Sequence, residues 1–198
     1  MEAAHEKWPA PSGAKKNPGP LKQLGELFKV DQDRVSVLNV YAYQQISFIT
    51  PVQLWSALDF QEQYFFVDCQ ENKKAKLMLY GAIKWDVKED DDYEKEDAFL
   101  RRKDYPGDYH YVGDNLFPAD PRKLPDTVIF NCEFGLNRSP MMAFWYMRHL
   151  LKTYPSAVPD RLNVRALKTR VYVLEDGISG LEKPGTSKGL QNLLSNSG

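Results

Sequence analysis

Short apolar runs separated by helix-like patterns predict that strands and helices alternate along this chain. Three compact apolar runs have the length and the β-branched and aromatic content of buried strands, at residues 64–68, 127–130 and 171–174. An alternating run rich in Val and Tyr predicts a further strand over residues 35–43. Residues 141–154 carry apolar side chains almost all round a helix, which predicts a helix packed against the sheet.

The segment Thr50-Pro51-Val52-Gln53 is a helix start signal. Its threonine can cap the helix, its proline suits the first helical position, and its glutamine can bond back to the cap. We expect this helix to run to Leu58. Because it lies between two predicted strands, the pattern indicates an α/β domain with a parallel sheet. Residues 171–174 are the last predicted strand, and a turn follows at Glu175-Asp176-Gly177.

Composition divides the chain into an arm and one domain. Residues 1–20 are rich in Pro, Gly, Ala and Lys and predict a flexible N-terminal arm, whereas residues 21–198 suit a single domain. The 42% hydrophobic content, with ten Phe, eleven Tyr and four Trp, allows a sizeable core. Residues 86–103 are densely charged and predict a solvated loop that enters a surface helix.

Charge and hydropathy argue against several classes of function. A net charge of −1 provides no basic field for nucleic acid or for an anionic membrane. No apolar run approaches a membrane span, and the N-terminus lacks the apolar core of a signal peptide, so we expect a cytoplasmic or nuclear protein. The three histidines show no metal-ligand spacing and no Gly-rich nucleotide motif is present, so we expect neither metal nor cofactor. The sequence does not fix an oligomeric state.

The segment from Cys132 to Ser139 carries the candidate chemistry. It lies between the predicted strand at 127–130 and the predicted helix, so a cysteine opens a tight loop and Arg138 closes it at a helix start. A helix N-terminus and a nearby guanidinium both favour the thiolate form of a cysteine, which is the nucleophile. The intervening loop residues, whose backbone N–H groups can surround a tetrahedral oxyanion, are Glu133, Phe134, Gly135, Leu136 and Asn137.

Two side chains at the end of this segment suit the same chemistry. The guanidinium of Arg138 has a planar fork that can hold two oxygens of the oxyanion at once. Ser139 can cap the helix, and it can also donate to the sulfur when a covalent intermediate breaks down.

The pattern Cys, five residues, Arg, Ser resembles the phosphate loop of cysteine-dependent protein phosphatases. The flanking Cys132-Glu133-Phe134 and Pro140 are similar to the M-phase inducers, the cell-division-cycle dual-specificity phosphatases, which have a rhodanese-type fold. Further segments that occur in that family's order are residues 46–54, 66–69, 81–83 and 171–177. The resemblance implies a rhodanese-like α/β catalytic domain with a central parallel sheet of about five strands flanked by helices.

The resemblance also implies a reaction. A phosphatase of this type hydrolyses phosphomonoesters through a phosphocysteine, here with phosphotyrosine or dual-specificity phosphoproteins, or a small phosphomonoester, as substrate. Rhodanese-type arsenate reductases use the same loop with glutathione or glutaredoxin as reductant, and a phosphate-binding module without catalysis is a third alternative. Sulfurtransferases of the fold usually have a loop one residue shorter, which argues against sulfur transfer.

Three further roles follow from the resemblance or remain open. M-phase inducers have a second cysteine behind the loop, so Cys69 is a candidate redox partner for Cys132, with a packed core thiol as the alternative. Asp68 is expected to tether the loop or a neighbouring amide from the strand end, unless it is an ordinary turn residue.

Candidates for the general acid are Glu133, Asp104, Asp108 and Asp114, and the sequence does not choose among them. Asn131 occupies a position where these phosphatases usually have a histidine.

Overall fold

The computed structural model describes residues 42–43, 45–57, 64–71, 76–85, 116–154, 169–183, 186 and 188–196. The predicted arm at 1–20, the charged segment at 86–103 and three of the candidate acids, Asp104, Asp108 and Asp114, lie outside these residues.

Seven strands and four helices make up the described chain, together with a 3-10 turn at Pro121–Lys123. The strands are β1 (Ile46–Ile49), β2 (Tyr64–Asp68), β3 (Leu77–Leu79), β4 (Ile83–Lys84), β5 (Thr127–Asn131), β6 (Arg170–Leu174) and β7 (Leu194–Asn196). The helices are α1 (Pro51–Ala57), α2 (Arg138–Thr153), α3 (Gly177–Glu182) and α4 (Lys188–Gln191). In the described residues, no helix is both long and apolar enough to cross a membrane.

Five strands form one parallel sheet in the order β1-β6-β5-β2-β4. All residues of β5, at its centre, are buried, as expected for a strand covered on both faces. The predicted parallel sheet of about five strands flanked by helices is therefore confirmed. The three predicted strands at 64–68, 127–130 and 171–174 are confirmed as β2, β5 and β6.

The strand predicted over residues 35–43 is wrong where the structure describes it. Ala42 and Tyr43 are helical, and the first strand of the sheet, β1, begins at Ile46. Residues 46–49 are mostly apolar, and they lie directly before the capping threonine, Thr50. Pairing of β1 with β6 through Ile46–Val171 and Ile49–Leu174 determines which run becomes the strand.

The start of α1 is the predicted capping box. The amide of Gln53 donates to Thr50 Oγ1 at 3.2 Å, and the amide of Thr50 donates to Gln53 Oε1 at 3.0 Å. This helix therefore begins where the sequence places it, directly after β1.

Alternate residues of the strands divide the core between two faces of the sheet. Val128, Phe130 and Cys132 pack in one core cluster with α2, of which eleven residues are buried. Ile129, Tyr172 and Leu174 lie in the second cluster, which also holds Leu54 of α1 and two residues of α3, Ile178 and Leu181. The predicted burial of the long helix is confirmed. We call the side of the sheet that packs with α2 the α2 face, and the side that packs with α3 the α3 face.

A second, smaller sheet contradicts the expectation that residues 171–174 form the last strand. Leu194–Asn196 pairs antiparallel with Leu77–Leu79. The amide of Tyr80 extends the pairing by donating to the carbonyl oxygen of Leu193 at 2.6 Å. Three residues are too few to show a period in the sequence, and this strand depends on its partner and on apolar packing of Leu194 beneath the α3 face.

Candidate active site

The segment 132–138, which we call the Cys132 loop, joins the carboxyl end of β5 to the start of α2. Because β5 is the central strand, the loop lies at the carboxyl edge of the parallel sheet, between the ends of β6 and β2. Ligand sites of open α/β sheets lie at this edge. Arg138 is the first residue of α2, as predicted, and its side chain is half-buried.

Cys132 and Ser139 meet beneath the loop. The hydroxyl of Ser139 donates to Cys132 Sγ at 3.2 Å, and both residues are buried. The prediction that Ser139 caps the helix is wrong, because Asn137 occupies the N-cap and Ser139 lies inside the first turn. Its hydroxyl points to the sulfur instead, which is the second arrangement expected from the sequence.

Most side chains of the Cys132 loop point to solvent. Glu133, Phe134, Leu136 and Asn137 are exposed, and Gly135 between them is buried. The loop therefore buries few side chains of its own, and it leads directly into the start of α2. Backbone N–H groups in this position can bind an oxyanion without a dedicated side chain.

Gly135 packs against the turn that follows β6. It adopts a positive φ of 67°, which favours glycine. A methyl group here would lie 3.0 Å from the Gly177 nitrogen and 3.2 Å from the Asp176 nitrogen. The predicted turn at residues 175–177 is present, and it directly supports the loop.

The first turn of α3 also bonds to the Cys132 loop. The amide of Ile178 donates to the carbonyl oxygen of Cys132 at 3.0 Å, and the amide of Ser179 donates to that of Glu133 at 2.9 Å. Sequence reasoning missed these supporting residues. The only signal was the Asp176-Gly177 turn, which identifies a bend but not the segment that it contacts.

Asp68 holds the adjoining strand end from the other side. Its Oδ1 accepts from Asn131 Nδ2 at 3.0 Å and from the amide of Gln70 at 3.2 Å. Gln70 Nε2 donates to Asp68 Oδ2 at 3.3 Å and to the carbonyl oxygen of Leu77 at 2.8 Å. The carboxylate therefore joins β2 to Asn131, the residue directly before Cys132. Burial raises the pKa of the Asp68 carboxyl above its ordinary value, while hydrogen bonds from Gln70 and Asn131 and the Lys84 charge oppose this rise.

Cys69 lies beside Cys132 at the strand ends. The pairing of β2 with β5 matches Asp68 with Asn131, so the next residue on each chain is a cysteine. The amide of Cys69 donates to the carbonyl oxygen of Asn131 at 2.7 Å. Both cysteines pack on the α2 face, both are buried, and neither is in a disulfide.

Only one of the four candidate general acids lies in the described residues. Glu133 is exposed on the Cys132 loop, and the three upstream aspartates lie outside the described residues. Within the described ranges, no group of three or more His, Cys, Asp or Glu residues is arranged to hold a metal ion.

Comparisons with known proteins find similar solved structures. Saccharomyces cerevisiae Ygr203w, described as a homolog of single-domain rhodanese and Cdc25 phosphatase catalytic domain, is 16% identical, with a TM-score of 0.44 over 70% of this chain and 81% of that chain. A second structure, described as a yeast protein tyrosine phosphatase of the Rhodanese family, is 15% identical, with a TM-score of 0.47 over 76% of this chain and 92% of that chain. An As-Sb reductase from Leishmania major is 17% identical, with a TM-score of 0.44 over 74% of this chain and 83% of that chain.

The chain is similar to proteins of the rhodanese family. No protein-family model matches the chain, and no curated protein matches it.

The buried carboxyl of Asp68 should give stability a distinctive pH dependence. Because its pKa is raised in the folded state, that state binds more protons than the unfolded one between about pH 3.9 and the raised value. The free energy of unfolding contributed by Asp68 therefore falls as pH rises through this window. We expect Asp68→Asn to lack this fall. In urea denaturation between pH 4 and pH 7, the free energy of unfolding of the variant relative to the wild type should therefore rise with pH.

Asp120 provides a control of opposite sign. Its hydrogen bonds from Arg122 lower its pKa, so its contribution to stability is lost as pH falls. The free energy of unfolding of Asp120→Asn relative to the wild type should therefore fall as pH rises toward about 3.9, and it should stay level between pH 4 and pH 7. The assignment for Asp68 is wrong if Asp68→Asn, like Asp120→Asn, shows no pH-dependent change relative to the wild type between pH 4 and pH 7.

Proposed function

We propose that this chain is a cysteine-dependent phosphatase that hydrolyses phosphomonoesters through a phosphocysteine intermediate. The observation that carries the proposal is the 3.2 Å hydrogen bond from Ser139 to Cys132 Sγ, at the point where the loop meets the start of α2. A packed core thiol has no need of a buried hydroxyl aimed at its sulfur. A nucleophile that must later leave as a thiolate does.

In the proposed reaction, the Cys132 thiolate attacks phosphorus in line with the ester oxygen. A sulfur–phosphorus bond forms, and the phosphorus–oxygen bond to the alcohol or phenol breaks. Loop amides and the Arg138 fork hold the three equatorial oxygens, where charge spreads in the transition state. The leaving oxygen takes a proton from a general acid, for which Glu133 remains a candidate.

The second half of the reaction regenerates the cysteine. A water molecule attacks the phosphocysteine, the sulfur–phosphorus bond breaks, and inorganic phosphate leaves. The Ser139 hydroxyl already donates to the sulfur, so it can stabilise the negative charge that develops there. Ser139 therefore acts in the second step more than in the first.

Phosphotyrosine or dual-specificity protein substrates are the class that the loop surface favours. Phe134 and Leu136 are 53% and 40% exposed on either side of the buried Gly135. Apolar side chains at the rim of an oxyanion site can contact the organic part of a phosphomonoester.

Arsenate reduction is the second candidate. Main-chain amides recognise a tetrahedral oxyanion by shape and charge, and arsenate shares both with phosphate. In that reaction Cys132 would attack arsenic, and glutathione or glutaredoxin would supply the electrons that reduce arsenate to arsenite.

The two candidates separate in one assay with matched variants. Under reducing conditions we expect wild type to release p-nitrophenol from p-nitrophenyl phosphate. Cys132→Ser should lose at least about 10³-fold in kcat, and Arg138→Lys about 10²-fold, because the nucleophile and the fork act in the transition state. Cys69→Ser, which changes the neighbouring thiol, should stay within a few-fold of wild type.

A parallel reaction contains arsenate, glutathione and glutaredoxin. Arsenite formation that depends on Cys132, without release of nitrophenol, would replace the phosphatase proposal by the reductase. If Cys132→Ser leaves both reactions at the wild-type level, the loop is a binding site without this catalytic role.

Ser139→Ala tests the assigned step. Loss of the hydroxyl should slow sulfur departure, so steady-state kcat should fall about 10- to 100-fold while a nitrophenol burst of one equivalent per enzyme remains. Stopped-flow absorbance measures both. Ser195→Ala removes a hydroxyl from the small sheet, away from the loop, and should keep the wild-type rate. An unchanged kcat in Ser139→Ala would remove this role.

We also propose that Cys69 protects Cys132 from irreversible oxidation. Adjacent strands are about 4.8 Å apart, and disulfides need Cα atoms about 4.4 to 6.8 Å apart, so the paired strand ends suit a bridge. Peroxide would oxidise the Cys132 thiolate to a sulfenic acid, and the Cys69 thiol would then displace water to form the disulfide.

Peptide mass spectrometry after peroxide treatment tests this protection. We expect a peptide that links Cys69 to Cys132, and activity that returns with dithiothreitol. Cys69→Ser should instead accumulate irreversible sulfinic acid at Cys132. Equal recovery of wild type and Cys69→Ser would contradict the proposal.

A further inference from the structure

The first turn of α3 donates N–H hydrogen bonds to the Cys132 loop instead of to solvent. Within α3, the amide of Gly180 makes a helical bond to Asp176 at 2.9 Å, whereas the two preceding amides donate outside the helix. Ile178 donates to the carbonyl oxygen of Cys132, and Ser179 donates to that of Glu133. Two donors that a helix start normally leaves to caps or water therefore bind consecutive carbonyls of the loop.

These two bonds also fix where the next amides of the loop point. In a trans peptide group the C=O and the following N–H point in opposite directions. Since the carbonyls of Cys132 and Glu133 point toward α3, the N–H groups of Glu133 and Phe134 point away from it.

The direction away from α3 is the side of the nucleophile. Ile178 and Leu181 anchor α3 in one core cluster, whereas Cys132 packs with α2 in the other. Ser139, the donor to Sγ, belongs to α2. The carbonyls therefore face the α3 side, and the amides face the side that holds the sulfur and the start of α2.

We propose that the first turn of α3 is a positioning element that aims the N–H groups of Glu133 and Phe134 at the bound oxyanion. Its positioning groups are the backbone N–H groups of Ile178 and Ser179, not their side chains, and Gly177 allows their close approach. This inference rests on the proposed oxyanion-binding role of the Cys132 loop, and it applies to phosphate and arsenate alike. Donors fixed before the substrate arrives need no reorganisation during the reaction.

Gly177 allows the close approach that these bonds require. A methyl group at this position would lie 2.7 Å from the carbonyl oxygen of Glu133 and from the nitrogen of Gly135, and nearer still to the carbonyl oxygen of Cys132. Its φ of 55° also disfavours other residues. Gly81 shares a positive φ but would meet nothing within 4 Å, so the steric requirement at Gly177 comes from the loop.

Ser179→Pro and Ser179→Ala form a matched pair that tests the proposal. Proline removes the N–H that binds the Glu133 carbonyl and is tolerated in the first turn of a helix, whereas alanine keeps that N–H. We expect Ser179→Pro to bind inorganic tungstate about tenfold more weakly by calorimetry. It should also lose at least about tenfold in kcat, because a misaimed donor no longer stabilises the transition state. Ser179→Ala should stay within twofold of wild type in both.

Three outcomes of this pair are distinct. If Ser179→Pro binds tungstate and turns over as Ser179→Ala does, with an unchanged melting temperature, the positioning role is overturned while the proposed function stands. A selective loss in Ser179→Pro with native melting supports the role. Failure of the wild type to bind tungstate would overturn the proposed oxyanion site itself, and the inference with it.

Hydrogen exchange on wild-type protein decides the question if the proline variant does not fold. Coupling between oxyanion and loop is reciprocal, so saturating tungstate should strengthen the bonds that the loop carbonyls accept. We expect exchange of the Ile178 and Ser179 amides to slow at least about fivefold. The Tyr80 amide, bonded to Leu193 in the small sheet, should not change. Equal exchange of the Ile178 and Ser179 amides with and without tungstate would overturn the proposal.

Discussion

The candidate site depends on how the carboxyl end of β5 is held on its two sides. On one side, Asp68 binds Asn131, the last residue of the strand. On the other, the first turn of α3 binds the carbonyls of Cys132 and Glu133. A loop whose working groups are peptide N–H groups needs such support, because a peptide group rotates unless its other end is fixed. Neither support is a loop residue, and both come from elements that are distant in the chain.

The loop itself divides the work between main chain and side chain. In the proposed reaction, Cys132 and Arg138 provide the chemistry that main chain cannot, a nucleophile and a fixed positive charge. The proposed oxyanion donors are main-chain amides, and the exposed Phe134 and Leu136 remain available for contacts with the rest of a substrate. The neighbouring Cys69 is completely buried and lies one register position beyond the Asp68–Asn131 pair. Its position suits redox chemistry with Cys132 without exposing a second thiol.

Local signals in the sequence were sufficient for the strand, loop and helix that contain the site. The apolar run of β5, the Cys-to-Arg spacing and the apolar periodicity of α2 are each encoded within a few residues. The capping box at Thr50 is equally local, and it forms as predicted. Contacts across the chain were not predictable in this way. Asp68 and Asn131 are 63 residues apart, and nothing near Gly177 indicates that its neighbour is the loop. The end of the predicted strand at residues 42–43 and the missed β7 were not predictable for the same reason, because pairing partners decide which short runs become strands.

A crystal structure of the protein with orthovanadate would test the central claim most directly. Vanadate adopts the geometry of the phosphoryl-transfer transition state, so it reports both the nucleophile and the oxyanion donors. The account predicts vanadium bonded to Cys132 Sγ, with its equatorial oxygens bound by the Arg138 fork and by loop amides that include those of Glu133 and Phe134. Vanadate bound elsewhere, or loop carbonyls in place of amides facing the sulfur, would contradict it.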